Sequence, residues 1–168
     1  MTLSQRNTDW HFMSFAIAES HKSKPIESAY CVGAVLVNSN ASPNNSIIST
    51  GFSREIEGNT HAEECCLLKL KSQNTPINQL NNLTMYTTME PCSTRLSGKT
   101  SCSHLIIQSK LISRVVIGAL EPSVFVENCV GLKMLKEAGI IVDIFPGLEK
   151  ECLDPNNHLL NKQQAQVK

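Results

Sequence analysis

Short apolar runs alternate with segments of helical periodicity along this chain, and this alternation is the pattern that most restricts its fold. The apolar runs predict five strands, at residues 31–37, 47–52, 83–87, 114–118 and 140–145. Apolar spacings of three and four residues predict four helices, at residues 10–20, 61–71, 104–111 and 130–138. The polar loop at 38–46 predicts an antiparallel hairpin between the first two strands, and the helical crossovers predict parallel strands after it. The order therefore predicts an α/β fold with a mixed sheet.

The two ends of the chain differ in their expected order. Trp10, Met13 and Ile17 lie on one face of the first predicted helix, and we expect that face to pack on the sheet. Gly139 is expected to cap the last predicted helix. The residues after Pro155 are mostly polar and predict a frayed tail. We therefore expect a single domain over 1–168, with its core at about 10–154.

Charge and cysteine content exclude several functional classes. Fifteen basic and fifteen acidic side chains, with a pI near 6.9, give no strong field to attract polyanions, so no nucleic-acid partner is expected. Seven cysteines are an odd number, and residues 1–9 are polar, which argues against a secreted disulfide framework. We expect a cytoplasmic location, with the nucleus as an alternative, and no membrane association, because no apolar run approaches about 18 residues.

Two segments carry residues suited to metal chemistry. His61 and Glu63 stand at the predicted start of a helix, and Cys92 and Cys102 follow a predicted strand. One imidazole and two thiolates would hold zinc and leave a fourth position for water, whose pKa the ion lowers to about 7. Glu63 would stand beside that water and move protons without being a ligand. Helix N-termini would favour the thiolate forms of Cys92 and Cys102.

Simpler interpretations of the same residues stay open at this point. Thr60 and Glu63 have the spacing of a capping box, which would occupy Glu63 with backbone donors. Cys65 lies one helical turn after His61 and could complete a different ligand set, as in a closed structural zinc module for protein contacts. The remaining cysteines near apolar segments are expected to pack in the core as small hydrophobic side chains: Cys31, Cys66 and Cys129.

The segments His61-Ala62-Glu63 and Pro91-Cys92 resemble the H-x-E…P-C-x-x-C signature of the cytidine deaminase superfamily. This resemblance implies a three-layer α/β/α sandwich around a mixed sheet, a Zn²⁺ cofactor held by His61, Cys92 and Cys102, and Glu63 as the catalytic residue. The sequence departs from the signature in one respect, because nine residues rather than two separate Cys92 from Cys102.

That long spacer, with the sequence of residues 88–99, is similar to the diaminohydroxyphosphoribosylaminopyrimidine deaminases of riboflavin biosynthesis, in particular the fungal form. Segments 31–37, 60–66 and 114–122 share the likeness. It implies a stand-alone deaminase that removes the 2-amino group of a 2,5-diamino-6-(ribosyl/ribityl)amino-4(3H)-pyrimidinone 5′-phosphate and releases ammonia.

The same resemblance implies where this substrate would bind. Arg95, Ser97 and Lys99 lie between the two cysteines, where cationic and hydroxyl groups would meet the phosphorylated sugar chain. Superfamily members generally associate, so a homodimer is expected. The alternative activity is a superfamily deaminase acting on cytosine, cytidine or tRNA adenosine.

Overall fold

The computed structural model describes residues 2–41, 46–73, 80–125 and 129–166, and gives only the backbone of 162–166. Within them lie five strands: β1 (Gly33–Asn38), β2 (Ile47–Phe52), β3 (Leu83–Met89), β4 (Ile112–Ala119) and β5 (Ile141–Ile144). The helices are α1 (Leu3–Ser20), α2 (Ala62–Ser72), α3 (Cys102–Ser109), α4 (Gly131–Glu137), α5 (Glu149–Leu153) and α6 (Asn157–Gln166), with a 3₁₀ turn at Asp154–Asn156. The loop predicted at 38–46 falls partly outside the described residues, at 42–45.

All five strands form one mixed sheet in the order β2-β1-β3-β4-β5. Strand β1 runs antiparallel to both β2 and β3, whereas β3, β4 and β5 are parallel to one another. Every residue of β3 is buried, as an apolar strand covered on both faces requires. The predicted mixed sheet is therefore confirmed.

Helices cover both faces of the sheet. Helices α2, α3 and α4 pack on one face, where Leu70, Ile106 and Leu135 are almost wholly buried. Helices α1 and α5 pack on the other face through Met13 and Cys152. The predicted three-layer α/β/α sandwich is confirmed, whereas the single-domain boundaries stay a prediction. No helix in the described part of the chain combines the length and apolarity needed to cross a bilayer.

The prediction of which residues of the first helix face the sheet is wrong in part. Helix α1 begins at Leu3 rather than near residue 10, and Thr2 caps it by accepting a hydrogen bond from the Gln5 N–H. Trp10 is 54% exposed, whereas Asp9 is fully buried. Arg114 donates to both carboxylate oxygens of Asp9, at 2.7 and 2.8 Å. This buried ion pair fixes the rotation of the helix, and Trp10 is turned outward as a result.

The expectation of a frayed tail after Pro155 is also wrong. The chain continues through the 3₁₀ turn into α6, and Leu159 is buried there. Asn156 is fully buried and bonds both backbone groups of Cys31, accepting from its N–H at 2.6 Å and donating to its carbonyl at 3.0 Å. A polar side chain thus anchors the C-terminal segment to the residues that precede β1.

The predictions for Gly139 and for three cysteines are confirmed in part. Gly139 follows α4 with φ +81°, which confirms it as the residue beyond the helix end. Cys31 and Cys66 are fully buried as predicted. Cys129 is only partly buried, so its assignment to the core is wrong.

Replacing Asn156 by Ala should lower the free energy of unfolding by about 3 kcal/mol, because the N–H and carbonyl of Cys31 would both lose their buried partner. Urea unfolding followed by circular dichroism measures this change. Asn157→Ala is the matched control, since its side chain bonds Asp154 at an exposed position and should change stability by less than about 0.5 kcal/mol. Equal midpoints for the two variants would contradict the anchoring role.

Candidate active site

The candidate site lies where the carboxyl end of β3 meets the first residues of α2 and α3. Met89 ends β3 beside Ala119, the last residue of β4, so the residues following both strands emerge at one edge of the sheet. A cavity of about 120 Å³ opens there, and its lining includes His61, Glu63 and Cys92. Ligands of open α/β sheets commonly bind at this edge.

At the start of α2, Glu64 rather than Glu63 takes part in capping the helix. His61 is the N-cap residue, and its N–H donates to Oε2 of Glu64 at 3.2 Å. The Thr60 hydroxyl donates to the Ile56 carbonyl instead. The alternative in which Thr60 and Glu63 form a capping box is therefore wrong. The capping residues are His61 and Glu64, each one position later. Because Glu64 serves the helix end, Glu63 is free to turn into the cavity, where it is buried.

Cys92 and Cys102 meet at the start of α3. Cys102 is the first residue of this helix, and its backbone N–H donates to the sulfur of Cys92 at 3.3 Å. The Cys102 thiol and the His61 imidazole lower the pKa of Cys92, whereas the same thiol contact and burial raise the pKa of Cys102. The two sulfurs thus hold one proton between them, and a divalent cation would favour the thiolate form of both.

The three predicted ligands converge. Nδ1 of His61 lies 3.6 Å from the sulfur of Cys92 and 3.5 Å from that of Cys102. All three donor atoms lie within 4.8 Å of one another. Tetrahedral zinc with ordinary bond lengths would separate a nitrogen and a sulfur ligand by about 3.6 Å. The donor set and its spacing therefore fit zinc, and three protein ligands are typical of a catalytic rather than a structural site.

Cys65 does not belong to this cluster. Its sulfur lies 3.2 Å from the Thr60 hydroxyl and 3.6 Å from the Phe52 carbonyl. Burial raises the pKa of its thiol, which disfavours the thiolate that a metal requires. The alternative ligand set that includes Cys65 is therefore wrong.

The buried carboxyl group of Glu63 lies beside its own backbone N–H, the Cys102 thiol and the Thr87 hydroxyl. Its Oε1 lies 3.4 Å from the hydroxyl of Thr87, which also donates to the Met89 carbonyl at 3.0 Å. Burial, followed by the charge of Cys92, raises the pKa of Glu63. A carboxyl group that holds its proton more readily is suited to taking up and returning protons near neutral pH.

Two of the three predicted substrate-binding residues line the cavity, and the third does not. Arg95 and Ser97 line the cavity, and the Arg95 side chain is only 1% exposed. Arg95 donates to Oε2 of Glu64 at 2.8 Å and to the Asn59 carbonyl at 2.5 Å, and its Nε is buried without a partner among the described residues. Lys99 is exposed, is not among the residues that line the cavity, and donates to the Gly58 carbonyl.

Comparison with known proteins agrees with this geometry. A sequence model of the family described as the cytidine and deoxycytidylate deaminase zinc-binding region matches residues 6–119. The chain belongs to this zinc-dependent deaminase family. Zinc is accordingly its cofactor, and the family fold is the α/β/α sandwich described above.

Two individual deaminases are similar to this chain in sequence. The diaminohydroxyphosphoribosylamino-pyrimidine deaminase of Schizosaccharomyces pombe is 49% identical over 142 residues, 84% of this chain, but the chain spans only about a third of that relative, 33%. A tRNA-specific adenosine deaminase of Buchnera aphidicola is 29% identical over 168 residues, covering 96% of this chain and 91% of the relative.

Solved structures of Aspergillus oryzae Rib2 deaminase are also similar. One, at pH 4.6, is 32% identical with a TM-score of 0.79 and covers 95% of this chain and 97% of that chain. Another, in complex with DARIPP, is 33% identical with a TM-score of 0.76 and covers 88% of each chain. Both overlap nearly the whole deaminase fold.

The side chains that line the cavity and that sequence reasoning missed include Tyr30, Arg54 and Glu121. Arg54 donates to the carbonyls of Tyr30 and Lys24, which holds the preceding loop at the cavity mouth. Glu121 follows β4 at the same sheet edge as Cys92. A polar residue just after a buried parallel strand was the available signal for Glu121, whereas no sequence pattern points to Arg54.

Replacing Cys102 by Ala should strip zinc from the purified protein, because two protein ligands hold the ion far more weakly than three. Cys65→Ala is the matched control and should keep the metal content of the parent protein, since its sulfur faces Thr60. Metal analysis by mass spectrometry measures both. Loss of zinc in Cys65→Ala, or its retention in Cys102→Ala, would contradict the three-ligand assignment.

Proposed function

We propose that this chain is a hydrolytic pyrimidine deaminase of riboflavin biosynthesis. In this proposal His61, Cys92 and Cys102 hold Zn²⁺, and Glu63 carries protons. The substrate is a 2,5-diamino-6-(ribosyl/ribityl)amino-4(3H)-pyrimidinone 5′-phosphate, which loses its 2-amino group as ammonia. The observation that carries the proposal is the convergence of three zinc-type donor atoms beside a buried glutamate that lines the same cavity.

The chain's own residues prepare the site for a charged reaction. A bound zinc ion lowers the pKa of water to about 7 and stabilises negative charge that develops on oxygen. The first turn of α3 presents the Cys102 N–H to the sulfur of Cys92, which keeps that ligand anionic. The Glu64 bond to the His61 N–H fixes the helix end that carries the imidazole.

Glu63 serves as base and then as acid. Its carboxylate removes a proton from the attacking water and delivers it to the ring nitrogen that is double-bonded to C2, while the water oxygen bonds to C2. It next takes the remaining hydroxyl proton and gives it to the amine, so that the C2–N bond breaks and ammonia leaves. The carboxylate is regenerated, and the product carries a carbonyl at C2. The raised pKa of Glu63 suits both transfers.

The choice of substrate is supported by the spacer between Cys92 and Cys102 and by the Rib2 deaminase that was solved with DARIPP. The alternative of a tRNA adenosine deaminase is supported by the 29% identical bacterial relative. The net charge of zero favours the small phosphorylated substrate over a nucleic acid. Ammonia release from the ribosylamino and ribitylamino compounds, cytosine, cytidine and tRNA distinguishes these activities, and activity on tRNA alone would refute the proposal.

We place the substrate phosphate beside Arg95, Ser97 and Lys99. Arg95 and Ser97 line the cavity, and the exposed ammonium of Lys99 bonds the carbonyl of Gly58, the neighbour of the lining residue Asn59. Seven cysteines without a disulfide are compatible with the cytoplasmic location that we also propose. The homodimer implied by the family resemblance stays a prediction.

Replacing Glu63 by Gln should reduce ammonia release by about a thousandfold, because the amide keeps the shape of the side chain but accepts no proton from water. Zinc content and the melting temperature should remain those of the parent protein. The matched control is Glu137→Gln on the exposed surface of α4, which should keep full activity. A Glu63→Gln protein that kept more than a tenth of the parent rate would refute the catalytic assignment.

Replacing Lys99 by Ala should raise KM for the phosphorylated substrate about tenfold and leave KM for the dephosphorylated compound unchanged, since only the former offers an anion to the ammonium group. Steady-state ammonia assays with both compounds measure the difference. Lys133→Ala, at an exposed position of α4, is the control and should alter neither value. Equal effects of Lys99→Ala on the two compounds would contradict a phosphate contact.

A further inference from the structure

Glu121 places an unsatisfied carboxylate oxygen in the wall of the catalytic cavity. It lies two residues after the end of β4 and lines the same cavity as His61 and Glu63. Its Oε2 is buried and has no hydrogen-bond partner among the residues that the structure describes. A buried acceptor without a partner is costly, so such an atom in a ligand cavity indicates a donor on the ligand.

The segment around Glu121 is held in place by contacts on both sides. The Tyr30 hydroxyl donates to the Pro122 carbonyl at 2.7 Å, and the Tyr30 ring packs edge-on against Phe125 at 4.9 Å between centroids. The Cys129 thiol also contacts the Glu121 carboxyl group. These contacts fix the position of the side chain, and a group held in this way can select between ligands by hydrogen bonding.

The electrostatic surroundings of Glu121 also favour a hydrogen-bond donor beside its carboxylate. Burial raises its pKa to about 7, and the negative charges of Cys92, Glu90 and Glu63 add to this effect. Neither Arg54 nor Arg95, the two cations that line the cavity, bonds to it among the described residues. A ligand N–H group directed at Oε2 would replace the hydration that this carboxylate has lost.

The chemistry of the proposed substrate supplies such a donor. Glu63 acts at C2 and at the ring nitrogen double-bonded to it, so this edge of the pyrimidine ring faces the zinc ligands. The 5-amino group is attached directly across the ring from C2 and is directed away from them. Neither cytosine nor cytidine carries an amine at this position.

We propose that Glu121 accepts a hydrogen bond from the 5-amino group of the diaminopyrimidinone and thereby selects this substrate over cytosine-type bases. The proposal rests on the proposed function of the site. It makes Glu121 a specificity-determining residue that contacts the substrate, whereas Glu63 performs the proton transfers.

Paired substrates test this contact. The parent protein, Glu121→Ala and Glu121→Gln are each loaded with zinc and assayed for ammonia release. The two substrates are the ribitylamino pyrimidinone phosphate and the same compound with hydrogen in place of the 5-amino group. For the amino compound, kcat/KM should fall about 10- to 100-fold in Glu121→Ala and less in Glu121→Gln, which keeps a neutral acceptor. For the analogue without the amine, all three proteins should agree within about twofold.

A purely structural role for Glu121 would lower kcat/KM by the same factor on both substrates, and this result would overturn the proposal. Unchanged kcat/KM on the amino compound would overturn it as well. Glu121→Gln keeps the test valid if Glu121→Ala fails to fold, and Glu137→Gln serves as the exposed control. A parent protein that released ammonia from neither compound would refute the proposed function itself, a result distinct from a loss confined to the Glu121 variants.

Discussion

The carboxylate of Glu64 joins the two segments on which the zinc site depends. Its Oε2 accepts hydrogen bonds from the His61 N–H and from the guanidinium of Arg95. Arg95 belongs to the loop that runs from Cys92 to Cys102, and it also binds the Asn59 carbonyl ahead of α2. Because the Arg95 side chain is almost wholly buried, loss of either partner would leave a desolvated charge uncompensated. One ion pair thus fixes His61 relative to both cysteines.

Around this frame the cavity gathers an excess of negative groups. Glu63, Glu90, Glu121 and Cys92 interact through their charges, and the pKa values of Glu63 and Glu121 are raised, with burial as the largest cause. The pKa of Cys92 is lowered, because it accepts from Cys102 and lies beside the imidazole of His61. A divalent cation among the three ligands offsets this accumulation of charge. The contacts of Cys92 with Cys102 and His61 lower its pKa, whereas burial raises the pKa values of Glu63 and Glu121.

Local patterns predicted the strands and the α/β/α layers well, because burial on both faces leaves an apolar signature in the sequence itself. They failed where a distant partner decided the outcome. Trp10 is exposed because Arg114, more than a hundred residues away, holds Asp9 on the buried face of α1. The C-terminal segment is ordered because Asn156 pairs with the backbone of Cys31. A polar residue that pairs at long range has the same local pattern as a polar residue in solvent.

For the candidate site, too, some features could be predicted from local sequence patterns and others depended on distant contacts. The sequence by itself predicted the three candidate ligands and Glu63, since zinc chemistry demands particular side chains and the motif holds them at recognisable spacings. Only the tertiary structure decided that Glu64 rather than Glu63 caps α2 and that Cys65 faces Thr60. It also decided that Glu121 reaches the cavity. Those outcomes depend on which helix ends and strand ends lie close together in the folded protein. A local sequence pattern contains no information about such contacts between distant segments.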